Sequence, residues 1–158
     1  MLPFSPGHGC DWAAEARMVN RLQWQQLAEH WLVAAKTLLA ARSWGPAYYV
    51  AGYAVECGLK ACILARLAGV PELIFDDRKF SEKCWTHSPL ELVKLAGLET
   101  ARAADAAANP TFRDNWLVVK DWSEQSRYKT ISHVKAKKLV AAIADKRNGV
   151  MQWLRARW

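Results

Sequence analysis

An all-α fold, an antiparallel bundle of four or five helices, is what this sequence predicts. Three observations carry the helical part. Apolar residues recur three and four positions apart along most of the chain. No alternation of period two persists anywhere. The helical stretches are cut by Gly, Pro and Asn-Pro breaks that leave short to medium links. With 158 residues, 52% of them apolar, the chain has material for one domain around a single core. The expected organisation is a loosely ordered leader over 1–19, with a weak helical piece from Trp12 to Val19, and a bundle over 20–158. There is no internal repeat.

The first long helix begins at Asn20, since "NRLQ" offers Asn20 as N-cap and Gln23 as its capping-box partner. Leu27, Trp31, Ala35 and Leu38 form its expected apolar stripe, and Gly45-Pro46 ends it. The second helix starts at Pro46, where a missing N–H loses no partner, and runs to about Ala68 with Gly69 as its stop. A connection from Val70 to His87 mixes charges with Ile74, Phe75, Phe80 and Trp85, and a link this long usually packs or functions. The third helix opens on "SPLE", with Ser88 as cap, Pro89 in first position and Glu91 reaching back. It holds to Leu95 and breaks at Gly97. An alanine-rich helix follows over 99–108, stopped by Asn109-Pro110. Thr111 is the expected cap of the next helix, with Phe112, Trp116 and Val119 inward. A turn falls between Asp121 and Thr130. One final helix is expected from Ile131 to Leu154, with Leu139, Ile143, Val150, Trp153 and Leu154 inward and five basic residues outward.

The stretch "AYYVAGYAVECGLKA" sets Tyr49, Tyr53, Glu56 and Lys60 four, three and four apart, on one face of the second helix. Val55, Leu59, Cys62 and Ile63 make an ordinary core stripe on the other side. Glu56 precedes Lys60 by four, the favourable order for an intrahelical ion pair, worth a few tenths of a kcal/mol when exposed. Gly52 and Gly58 each cost about 1 kcal/mol against alanine in a helix interior, which close approach of a neighbouring element would offset. Two readings stand: a helix packed tightly on both sides with its polar groups at the rim, or a polar seam that holds a ligand or forms a dimer cleft.

Charge is unevenly placed. Residues 1–109 hold eleven Lys/Arg against eleven Asp/Glu, whereas residues 110–158 hold eleven against four, so the whole +7 excess lies in the last third. Such a segment attracts polyanions such as RNA, or serves as a solvated face. No run approaches the roughly 18 apolar residues that span a bilayer, so no membrane is expected. "MLPFSPGHGCDW" lacks a basic patch followed by an apolar run, so a secretory signal is not expected and a cytoplasmic location is. Cys10, Cys57, Cys62 and Cys84 allow two disulfides by arithmetic, but without a signal peptide reduced thiols are the expectation. Cys84 and His87 stand as C-x-x-H, but Cys57 and Cys62 are about 140° apart on a helix, so no metal site is expected.

"YYVAGYAVECGLKA", "THSPLELVKLAG", "DWSEQSRY" and "GVMQWLRARW" resemble, in that order, landmarks of the HEPN domain, the higher-eukaryote and prokaryote nucleotide-binding family. The resemblance covers residues 20–158. It implies a bundle of four or five helices that pairs as a homodimer and acts on or binds RNA or nucleotides. Members include metal-independent endoribonucleases, among them toxins encoded beside nucleotidyltransferase-type antitoxins, which makes such an antitoxin a partner to expect. Others are non-catalytic nucleotide-binding, partner-binding or dimerisation modules. Ribonuclease members carry an Arg and, beyond four to six residues, a His, which "RYKTISH" matches with Arg127 and His133 as the implied catalytic pair. No cofactor is implied. The 2′-OH of RNA attacks the adjacent phosphate, a His moves the proton, and an Arg holds the phosphate. Six positions on one helix turn about 240°, so Arg127 must precede the helix for the pair to converge. The alternative has Arg127 paired with Asp121 or Glu124 and His133 merely starting a helix.

The ligand-binding face implied alongside is Tyr49, Tyr53, Glu56, Lys60, His87 and Tyr128. His87 resembles the family's H-x-L landmark before the Ser88 cap, with Leu90 one position later, as a local orienting group or a ligand contact. Trp122 and Trp85 are positions for stacking on a base or for packing in the core.

Overall fold

The computed structural model of the chain describes residues 20–158; the expected leader and its helical piece lie outside them. All regular structure among the described residues is helical. The elements are α1 (Arg21–Ala40), α2 (Trp44–Gly69), α3 (Leu73–Asp76), α4 (Phe80–Lys83), α5 (Pro89–Leu95), α6 (Glu99–Ala108), α7 (Pro110–Lys120), a 3-10 helix (Glu124–Tyr128), α8 (His133–Ala144) and α9 (Val150–Arg155). None is long and apolar enough to cross a membrane.

α1 starts on the expected capping box: Gln23 N–H donates to Asn20 Oδ1 at 2.9 Å and Asn20 N–H donates to Gln23 Oε1 at 2.8 Å. Its buried stripe is Ala28, Leu32 and Ala35, the expected one at Ala35 and one position round from it before that. The alanines let α1 lie close on α2, while the bulkier Leu27 and Trp31 pack at its flank. α1 closes in a left-handed residue, Arg42 at φ 59°, and the chain turns back into α2.

α2 is the hub of the molecule. Helix α1, α5, α8, α9 and the 3-10 helix all pack on it. It starts at Trp44, two residues before Pro46, and every residue from Ala54 to Ile63 is buried. A helix buried all round needs small residues where neighbours come close. A Cβ on Gly52 would overlap the Trp122 indole, and one on Gly58 would meet Leu154 Cδ1 at 2.8 Å. These approaches account for both glycines.

The connection after α2 packs as two short helices, α3 and α4, with Phe80 buried beneath them. Ser88 caps α5 by accepting from Glu91 N–H at 3.4 Å. The Glu91 carboxylate turns to Lys94 rather than back to the cap. Gly97, at φ 68°, ends α5 in the left-handed conformation that suits glycine. α7 is capped by Asn109, whose Oδ1 accepts from Phe112 N–H at 3.1 Å, not by Thr111. Phe112, Trp116 and Val119 face inward as expected.

The expected final helix is two helices. Asp145 Oδ1 accepts from Arg147 and Asn148 N–H and folds 145–149 into a turn. Asn109 and Asn115 side chains then hold Asn148 against α7. Gly149 has backbone oxygens where a Cβ would go. The inward residues Leu139, Ile143, Val150, Trp153 and Leu154 are nevertheless buried, because α8 and α9 keep the same side toward the core.

Candidate functional site

On the face of α2 that carries Tyr49, Tyr53, Glu56 and Lys60, the tyrosines are partly buried and the Glu56–Lys60 pair lies inside, so it is not the exposed rim pair that spacing alone allowed. Glu56 is 3% exposed and Lys60 8%. Lys60 Nζ donates to Glu56 Oε1 at 2.7 Å. Burying two charges is costly unless each finds partners, and the rest of the site supplies them.

His87 stands just before the Ser88 cap of α5, which aims its ring back at α2. Nδ1 lies 2.9 Å from Glu56 Oε2, and Nε2 lies 2.9 Å from Glu124 Oε2. Carboxylates only accept, so the Nδ1 contact is a hydrogen bond when Nδ1 carries the proton, and the Nε2 contact is an ion pair when the ring carries both. His87 therefore makes long-range ties between α2 and the 3-10 helix instead of the local bond expected for it. Glu124 and Arg127 are one 3-10 turn apart and project from the same side of that helix.

Arg127 lies at the tyrosine end of this face. Its guanidinium sits beside Tyr49, whose hydrogen bond is the main influence that raises its pKa above the ordinary value, followed by Tyr128. The Tyr128 ring is 4.8 Å from the guanidinium and is itself largely exposed. The Tyr49 and Tyr53 hydroxyls are 2.9 Å apart, with their rings edge to face. Burial, and then the bond to Tyr49, raise the Tyr53 pKa. The Tyr53 ring in turn lies 6.1 Å from the His87 ring. The floor is Trp122, buried against Gly52 and 5.6 Å from the Tyr53 ring, so it packs in the core and is closed to a ligand base.

The structure thus gathers Tyr49, Tyr53, Glu56, Lys60 and His87 on one polar path along α2, with Glu124, Arg127 and Tyr128 of the 3-10 helix beside it. Neither acid considered for Arg127 pairs with it: Glu124 is on His87, and Asp121 is on Lys120 at 2.9 Å. Arg127 does precede the helix that follows, as convergence with His133 required. His133 is the first residue of α8, however, and its ring packs on Trp44 at 4.5 Å, off this path. Glu124 is the member that sequence reasoning weighed only as a partner for Arg127. The signal for it was its three-residue spacing from Arg127 within a short turn.

The basic residues of α8 lie outside this path, exposed, with Lys135 Nζ 5.3 Å from the Tyr48 ring. A hollow next to α2 lies at its Lys60 end. It is a cavity of about 540 Å³ between α1, α2 and the α3–α4 connection, lined by Trp24, Lys60, Leu64, Phe80 and Trp85 among others. Cys57, Cys62 and Cys84 are free thiols. Burial pushes Cys57 and Cys62 up to about 12 and raises Cys84 as well. Cys10 lies outside the described residues. Among those residues no group of three or more His, Cys, Asp or Glu is placed to hold a metal ion. No family model matches the chain, and neither a curated protein nor a solved structure does.

Proposed function

We propose that this chain is a HEPN-like module that binds RNA or a nucleotide through a phosphate held at Arg127. One observation carries the reading. Arg127 is exposed, and the nearby acids Glu124 and Asp121 are engaged elsewhere. Along the path, Lys60, Glu56, His87 and Glu124 alternate in sign when His87 is an imidazolium, so the surplus positive charge falls at Arg127. An Arg with free donors suits a phosphate oxygen pair. The excess of basic residues after position 110 extends that attraction over a longer polyanion. A cytoplasmic homodimer would present two such faces.

Metal-independent cleavage is the stronger form of the proposal. Arg127 would neutralise the phosphate as the 2′-OH attacks, and His133, six positions on, would move the proton once RNA binding draws it off Trp44. In a toxin of this kind a nucleotidyltransferase-type antitoxin is the partner. RNA binding by fluorescence anisotropy across a salt series, with cleavage followed in EDTA, tests both forms. Arg127→Ala is expected to weaken binding for all sequences and lower the salt slope by about one. In the cleaving form, Arg127→Ala and His133→Ala each cut the rate about 100-fold or more. Binding without cleavage leaves the non-catalytic module. Unchanged binding by Arg127→Ala overturns the reading.

A further inference from the structure

The cavity at the Lys60 end is a separate opportunity for chemistry. Its volume, about 540 Å³, suits a small molecule. Its walls are apolar: Leu64 comes from α2, Trp24 from α1, and Phe80 and Trp85 from the α3–α4 side. At the wall lies the Lys60 ammonium, 5.1 Å from the Trp24 ring and 5.8 Å from the Trp85 ring. The Lys60 side chain is 10% exposed, and Glu56 takes one of its three N–H donors. The other two have no acceptor among the described residues. A second cation, Arg78, lines the same cavity; so does Asp77, whose carboxylate is paired with Lys83 at 2.7 Å.

We propose that this cavity binds a small organic anion with a planar apolar body and one acidic head group. The body lies along the Trp24, Leu64 and Phe80 walls. The head accepts from the spare donors of Lys60 and from Arg78. Burial of the body supplies the affinity, and the ammonium sets the orientation. A nucleotide suits the same space less well, since much of its polar base would lie against the apolar side chains of Leu64 and Phe80. This site is therefore distinct from the phosphate position at Arg127, and the two fail or succeed independently.

The test titrates the full chain with 2-naphthoate by calorimetry, beside uncharged 2-naphthamide and adenosine monophosphate. Naphthoate is expected to bind one to one, and the amide about tenfold or more weaker, the loss of one charged hydrogen-bond acceptor. Lys60→Met should reduce naphthoate affinity by a similar factor. Because Lys60 is buried and paired, that variant has backups at exposed positions: Arg78→Ala weakens binding, and Ser81→Trp, at the cavity wall, blocks it. Cys84 also lines the cavity, so naphthoate should slow its alkylation by iodoacetamide while leaving RNA binding unchanged. Equal affinity for naphthoate and naphthamide, full binding by Ser81→Trp, or tighter binding of adenosine monophosphate would overturn the proposal.

Discussion

At Glu56 the energetics of a single buried carboxylate decide how the polar path holds together. Its two oxygens serve two partners, the Lys60 ammonium on one side and the His87 ring on the other. Removing one member of a buried pair leaves the other uncompensated, at a cost of about 3–5 kcal/mol, far above an exposed pair. Glu56→Gln and Lys60→Met are each expected to destabilise the chain by about that much in urea denaturation. The double variant should lose clearly less than the sum, because it removes both charges of the pair together. Strict additivity would mean that the two side chains do not share their burial. Tyr53 belongs to the same residue-scale account. Its hydroxyl is kept protonated by burial and by Tyr49, so it is available to donate or accept rather than to carry charge.

Among the elements, α1 ends at a point of local strain. Arg42 sits at φ 59°, where a Cβ is unfavourable, and Ser43 N–H bonds back to Leu38 O at 2.9 Å around it. Arg42→Gly should relieve the strain, and the added freedom of the unfolded glycine offsets part of the gain. The expected net is a stabilisation of about 0.5 kcal/mol, read from the urea midpoint; a loss would show that the Arg42 side chain matters more than its backbone. The helix starts at Asn20 and Ser88 were legible because a cap is a local bond, written within three residues. In α1 the expected stripe holds at Ala35, but Ala28 and Leu32 lie innermost where Leu27 and Trp31 are the larger side chains, because close helix contact favours the smaller residue. The break at 145–149 was missed although Asn148-Gly149 is a turn signal, because apolar spacing on both sides imitates one helix. On α2, the shared face of Tyr49, Tyr53, Glu56 and Lys60 followed from spacing. Its burial did not, nor did the link from His87 to Glu124, since both depend on elements distant in sequence.

Across the whole molecule, the two ends of the described chain are clasped. Arg155 of α9 holds Glu29 of α1 with both carboxylate oxygens, Nε to Oε1 at 2.6 Å and Nη2 to Oε2 at 2.7 Å. The bond to Arg155 lowers the Glu29 pKa below its ordinary 4.5, and Arg155 is raised in return. A carboxylate with a depressed folded pKa stabilises the fold above its unfolded value. The contribution is lost as pH falls through 4.5 and past the folded pKa. Both side chains are more than a third exposed, so solvent screens the pair and its worth is about 0.5 kcal/mol. Glu29→Gln should therefore lower the urea midpoint at pH 7 by that amount, and 1 M salt should shrink the difference. At pH 3 the wild-type carboxyl has moved toward its neutral form, and the two proteins should converge. A gap of the same size at pH 3 would show that Glu29 stabilises through packing rather than charge, and that the α1–α9 clasp owes nothing to its ion pair.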